Sequence, residues 1–320
     1  MRGGLVLAIV ALLAIAVPVR AAEDIRLGLL AYGSVQWEIE TLRADGRDRA
    51  HDIVVVPVEL AGKDGAAVAL LGGSVDAIIT DWPWVARQRA MGRDLVFVPY
   101  SLMTGAVLVP PASPVASLAD LAGRRLGIAG GPADKSWLLL RALGRRRHGL
   151  DLDHAAEKVF GAPPVLSQQA ESGRLDALLT YWQPAAELEA KGWRRLVDIN
   201  AIPAELGLAH AVPMVGWVLH RAWADSHVAT IKAFLAAEGE TRRAMCAPGA
   251  DWARLDLLTR AADAPARRRA RDGFCAGIPT AWGDSEREDA AGLYRLLAAL
   301  GGEEAAGPFD PATFWSEVRY

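Results

Sequence analysis

The chain has 320 residues, 52% of them hydrophobic and 23% charged, a balance that supplies ample core material and excludes a disordered tail. A formal charge of −3 gives no reason to expect nucleic acid or an acidic membrane surface as a partner. The length points to about two domains.

Arg2 precedes an apolar run at residues 5–17, which is too short to span a bilayer and reads as a secretory leader. Val19-Arg20-Ala21 offers a small-x-small cleavage pattern, placing a signal peptide at residues 1–21 and a mature start at Ala22 or Glu23. Losing Arg2 and Arg20 takes the formal charge from −3 to −5. No cysteine follows the run, which argues against a lipid anchor. No later apolar stretch is long enough to span, so a soluble protein of the periplasm is expected.

The chain then repeats itself. Gly73-Ser74-Val75-Asp76-Ala77-Ile78-Ile79-Thr80-Asp81-Trp82 aligns without gaps to Gly173-Arg174-Leu175-Asp176-Ala177-Leu178-Leu179-Thr180-Tyr181-Trp182, one hundred positions on. Ala86, Ala90 and Gly92 continue the match to Ala186, Ala190 and Gly192; upstream, Trp37 corresponds to Trp137. A period this long is not a solenoid unit and implies two homologous lobes. In the first copy, apolar runs at 25–30, 52–60 and 77–80 predict strands, with helical periodicity at 37–42 and 66–71. The second copy predicts strands at 125–129, 158–161 and 177–180, with helices at 134–143 and 166–171. Trp82-Pro83 and Trp182-Gln183-Pro184 follow the last strand of each copy, where proline suits a helix's first turn. Alternation of this kind gives α/β lobes, each a mostly parallel sheet flanked by helices.

Ligands of such sheets sit beyond the carboxyl ends of the strands. That places Ser34, Trp37, Asp81, Trp82 and Trp84 from the first copy, and Trp137, Tyr181 and Trp182 from the second, around one cleft. Indole rings there suit a flat or cationic ligand. Asp81, where the repeat breaks its symmetry against Tyr181, suits an amine, amidine or aminopyrimidine donor, and as a competing role caps the helix that starts beside Pro83. Trp193, Trp223, Trp252, Trp282 and Trp315 have no repeat partner or cleft-side position and are expected to pack. Residues 129–136 fail as a phosphate loop, because Ala129 and Asp134 stand where the framing glycines belong; what remains is a glycine-rich turn at a helix start, able to hold an oxygen. His148, Asp151, Asp153 and His154 have irregular spacing for a metal and read as a solvated loop. Cys246 and Cys275 are the only cysteines; they form one bridge or stand as two buried thiols.

Ser117-Leu118-Ala119-Asp120-Leu121-Ala122-Gly123-Arg124-Arg125-Leu126-Gly127-Ile128 and the paired Gly-x-x-Asp-Ala segments resemble the periplasmic solute-binding proteins of ABC importers, in the group handling nitrate, taurine, alkanesulfonates and thiamine-precursor pyrimidines. The resemblance covers most of residues 24–225 and implies a two-lobe periplasmic binding protein fold of type II kind with a ligand cleft between the lobes. It implies a first lobe of residues 22–104 and 222–320, a second lobe of 105–221, and chain crossings near 104–109 and 215–220. It carries over Gly131, Ser136 and Lys135 as ligand contacts. The function implied is capture of a small organic solute and its presentation to an inner-membrane permease by a monomer that needs no cofactor. The competing reading is an enzyme of the pyrimidine-synthase or small-molecule lyase type on the same fold, or a periplasmic ligand sensor. An enzyme calls for a histidine, nucleophile or metal in the cleft, and none of the six histidines falls in a repeat-matched loop.

Overall fold

The repeat builds two five-stranded sheets, seen in a computed structural model that describes residues 22–259, 263–301 and 308–320; the expected leader lies outside the described residues. The first copy supplies β1 (Glu23–Leu30), α1 (Ser34–Ala44), β2 (Ile53–Leu60), α2 (Lys63–Leu71), β3 (Ala77–Asp81), α3 (Trp82–Ala90) and β4 (Leu95–Ser101). The chain then crosses to β5 (Gly105–Val109) and continues through the second copy: β6 (Arg125–Ala129), α4 (Lys135–His148), β7 (Glu157–Gly161), α5 (Pro163–Glu171), β8 (Ala177–Tyr181), α6 (Trp182–Ala190) and β9 (Arg194–Asp198). It returns at β10 (Val215–His220), followed by α7 (Val228–Cys246), α8 (Ala264–Ala276) and α9 (Asp284–Gly301).

The strand orders are β2-β1-β3-β10-β4 and β7-β6-β8-β5-β9. Each sheet is parallel except for one strand, β10 in the first and β5 in the second, which runs antiparallel between the last two strands of its copy. Each of these strands is the one the chain enters after crossing. The chain crosses at residues 102–104, at the start of the expected 104–109, and returns at 199–214, just ahead of the expected 215–220; residues 105–109 and 215–220 themselves are strands, which corrects their reading as hinge segments. The expected second-lobe limit at 221 is corrected for the same reason, since β10 pairs with β3 and β4. An apolar run this dense is satisfied by burial on both faces of a sheet, not by a hinge.

The repeated Gly-x-x-Asp-Ala segment proves to be a structural clip. Gly73 and Gly173 take φ of 72° and 74°, the left-handed position that ends α2 and α5, with Ser74 N donating to Ala69 O and Arg174 N to Gln169 O. Three residues on, Asp76 accepts from the backbone N–H and guanidinium of Arg26, and Asp176 does the same for Arg125. Asp76 N and Asp176 N donate back to Arg26 O and Arg125 O. The clip sets the register that places Leu27 beside Ala77 and Leu126 beside Ala177.

The segment after β10 is not confined to the first lobe, which corrects the expectation for 222–320. The α7 helix packs on α1, α8 packs on α6 of the second lobe, and α9 lies along α4. The last residues come back to β4, where Trp315 N donates to Phe97 O. Cys246 at the end of α7 and Cys275 in α8 form a disulfide across 29 positions. Closing a loop of that length restricts the unfolded chain by about 3.6 kcal/mol. The Cys246→Ala/Cys275→Ala variant is expected to lose that amount in urea denaturation, and a loss below about 1 kcal/mol would show that α8 is held without it. No described helix is long and apolar enough to cross a membrane.

Candidate functional site

The carboxyl ends of β1 and β3 face those of β6 and β8, and two cavities lie between them. The inner one, about 110 Å³, is lined by Tyr32, Ser34, Lys63, Asp81, Tyr100, Ser101, Thr104, Lys135, Tyr181, Trp182 and Gln183 among others. The outer one, about 540 Å³, is lined by Gly62, Lys63, Asp64, Asp81, Trp84, Arg87, the turn 130–134, Gly161, Pro163 and Tyr181.

Lys63 and Lys135 each begin a helix, α2 and α4, a position where the helix dipole disfavours a cation. Carboxylates and an aromatic ring hold them there. Lys63 Nζ donates to Asp81 Oδ2 at 3.2 Å and to Asp134 Oδ2 at 2.8 Å. Tyr181 O–H donates to the same Asp134 oxygen at 3.0 Å. Lys135 Nζ lies 4.7 Å from the centre of the Tyr181 ring and 4.0 Å from Asp134 Oδ1; it makes no hydrogen bond among the described residues. Burial acts to lower the pKa of Lys63, but Asp134, Tyr181 and Asp81 together raise it well above the ordinary lysine value. Lys135, 5% exposed, is pushed the other way, by burial first and with Lys63 adding to it. Asp134 is held well below the carboxylate range although burial works against this, because Lys135 and Lys63 face it.

Every carboxylate oxygen in this cluster is engaged. Asp81 Oδ1 accepts from Trp84 N, making Asp81 the cap of α3, while Asp134 Oδ1 accepts from Ser136 N and caps α4. The unspent groups are N–H donors: three on Lys135 and one on Lys63. The site therefore lacks an acceptor, not a donor. Asp81 spends one oxygen on the cap of α3 and the other on Lys63, so an amine or aminopyrimidine donor would have to share them.

Across the cavity from Lys63, Gln183 reaches from α6 to the start of α1. With its amide oriented to satisfy its neighbours, its oxygen accepts from Ser34 N, Ser34 Oγ and Trp182 Nε1 at 3.0–3.1 Å. Gly33, with φ of 105°, leads into α1 without a side-chain cap, so Gln183 supplies the acceptor that the helix start lacks.

Of the expected contacts, Ser34, Asp81, Tyr181 and Trp182 line the inner cavity, and Trp84 and Gly131 the outer one. Trp37, Trp82, Trp137 and Ser136 line neither, and their placement in the cleft is corrected. Trp82, as first residue of α3, turns away beneath the C-terminal segment onto Tyr294, Phe309 and Phe314. Trp137 is fully buried with the Arg141 guanidinium over its ring. Trp37 meets Trp182 and Trp252 edge-on and donates to Leu258 O. Ser136 is buried with its hydroxyl unpartnered. Lys63, Asp134, Gln183 and Arg87 were not read as site residues from sequence. The signal available was the lysines themselves: Lys63, Lys135, Lys158, Lys191 and Lys232 are the only ones among 35 basic residues, and two of them open helices at the cleft. In the loop after α4, Asp151 pairs with Arg145 and His154, and Asp153 with Lys158 and Arg141.

The family description NMT1/THI5 like matches residues 49–247. Among solved structures, the chain is similar to the periplasmic aliphatic sulphonate binding protein SsuA from Escherichia coli, at 21% identity and TM-score 0.69, covering 93% of this chain and 94% of that one. It is similar also to the alkanesulfonate-binding protein SsuA from Xanthomonas axonopodis pv. citri bound to MOPS, at 18% identity and TM-score 0.71, covering 92% and 99%. The nitrate-binding protein NrtA from Synechocystis PCC 6803 matches at 13% identity and TM-score 0.55, over 71% of this chain and 63% of that one. These likenesses establish the two-lobe periplasmic binding protein fold. No curated protein is significantly similar to the sequence.

Proposed function

The chain belongs to the NMT1/THI5-like family, and from that premise we propose that it is the periplasmic solute-binding component of an ABC importer, capturing a small organic anion between its lobes. The observation that supports the anion is the donor surplus of the inner cavity: Lys135, 5% exposed and without a hydrogen bond among the described residues, sits beside Lys63 with the oxygens of Asp81 and Asp134 already engaged. A sulfonate, carboxylate or similar group brings the missing acceptors and restores the charge that burial disfavours. The sulphonate-binding proteins of the same fold agree with this class. The ring of Tyr181, the indole of Trp182 and the apolar side chains of Leu30, Val35 and Val215 receive the rest of the solute. Neither cavity is lined by a histidine or cysteine, which favours binding over catalysis. The closed form then docks, as a monomer, on an inner-membrane permease.

Isothermal titration with ethanesulfonate, MOPS, a short carboxylate, an aminopyrimidine and choline tests the reading. Binding is expected within the anionic set. Heat from choline or the aminopyrimidine alone would overturn it.

A further inference from the structure

At about 110 Å³ the inner cavity falls short of the roughly 300–1,000 Å³ usual for a ligand pocket, whereas the outer one, about 540 Å³, lies within that range. The two share Tyr32, Lys63, Ile79, Thr80, Asp81 and Tyr181 as lining, so one molecule can occupy both. Lys135 lines only the inner cavity, which leaves the outer one to whatever the charged group carries with it.

The wall of the outer cavity is bare in a way its backbone does not require. Glycine is dictated where φ is left-handed or where a side chain would crowd a neighbour. Among the described glycines, only Gly62, Gly65, Gly131 and Gly292 have neither a left-handed φ nor any atom within 4 Å of where a Cβ would stand. Three of these, Gly62, Gly65 and Gly131, line the outer cavity. Gly62 is extended, with φ of −173°, a conformation open to any residue, and Gly65 lies inside α2, where glycine is a poorer choice than alanine. Gly62 and Gly65 belong to the first lobe and Gly131 to the second, so the wall is bare on both sides. The lining also holds three aromatic side chains, Tyr32, Trp84 and Tyr181. Trp84 is half-buried, and among the described residues its indole N–H makes no hydrogen bond and its ring meets no other ring.

We propose that the outer cavity holds the flat body of the solute, and that the solute class is the aryl anion. Its sulfonate or carboxylate lies at Lys135, and its ring system lies between Gly62 and Gly65 on one side and Gly131 on the other. The placement of the charged group rests on the solute-binding reading above. Bare glycines let a ring approach the backbone, and a side chain at any of the three takes up that room. Tyr32, Trp84 and Tyr181 supply edge and stacking contacts that an aliphatic tail does not use.

Isothermal titration with ethanesulfonate and naphthalene-2-sulfonate, which share a charged group and differ in body, tests this. In the natural protein naphthalene-2-sulfonate is expected to bind at least about tenfold tighter. Gly62→Leu and Gly65→Leu are each expected to weaken naphthalene-2-sulfonate roughly tenfold more than ethanesulfonate, and Trp84→Ala about 2- to 10-fold more. Gly65→Leu should melt no lower than the natural protein, because α2 loses a glycine, so its loss of affinity is not a loss of fold. Equal affinities for the two sulfonates in the natural protein, or glycine variants that weaken both alike, overturn the aryl body and leave the anionic group standing. No heat from either sulfonate overturns the anion-binding reading and the aryl body with it.

Discussion

Arg242→Met is expected to cost about 3–5 kcal/mol of folding stability at pH 7, because it removes the cation that Glu38 and Glu238 face in a buried cluster and leaves their carboxyl groups without that donor. Arg242 Nε donates to Glu38 Oε1 at 2.8 Å, and its Nη2 lies 3.1 Å from Glu238 Oε1. The guanidinium stacks on Tyr100 at 4.4 Å, and Trp217 Nε1 donates to Glu238 Oε1 at 2.8 Å. The cluster thus ties α1, α7, β4 and β10 together behind the inner cavity. Burial pushes Glu238 up to about 8, with Arg242 pulling it down and Glu38 pushing it further up; Glu38 is raised as well, by burial first. Between the ordinary carboxylate range and about pH 8 the folded chain therefore holds a proton that the unfolded chain has released, so this group makes stability fall as pH rises through that window. Urea midpoints in Glu238→Gln should flatten the decline while keeping the Trp217 acceptor. A steeper decline in Glu238→Gln would contradict the assignment. Arg242→Met should shift the midpoint at constant slope, and a loss under about 1 kcal/mol would mean the carboxylates find other partners.

Lys135→Met is expected to weaken solute binding while leaving the fold intact. A charge-assisted hydrogen bond contributes about 1.5–3 kcal/mol, so the loss in affinity should be roughly 10- to 150-fold. Stability should hold or rise, since the ammonium is disfavoured by burial and Met fills a similar volume. The combination is diagnostic: weakened titration heats for ethanesulfonate with an unshifted melting curve. An unchanged affinity would move the anionic subsite away from Lys135.

The duplication was legible because it leaves matched strands and matched glycines at fixed spacing, and both copies fold alike down to the Arg26–Asp76 and Arg125–Asp176 clips. The tryptophans misled for a local reason. A residue that opens a helix after a strand can turn toward the cleft or toward the packing beneath it, and its neighbours in sequence do not say which. Trp82 turned under the C-terminal segment, whose path over both lobes has no counterpart in the repeat. Asp81 carried both a cap and a charge, and only the position of Lys63 decides how much of the charge is left for a ligand. The Lys63–Asp134 pair spans 71 positions and two lobes, beyond the reach of periodicity or motif. Gln183, one residue past a matched tryptophan, was visible only as the neighbour of a proline.

The exchange of β5 and β10 between the sheets also bears on the order in which the molecule can be assembled. Residues 105–198 hold all five strands of the second sheet, whereas the first sheet lacks its fourth strand until 215–220 arrive. As the chain emerges from its amino end, the later lobe can close first, while β3 and β4 wait with facing edges unpaired. Unpaired edges of that kind invite pairing with other chains. The nascent first lobe is thus the stretch most in need of shelter during synthesis, although it is the first to be made.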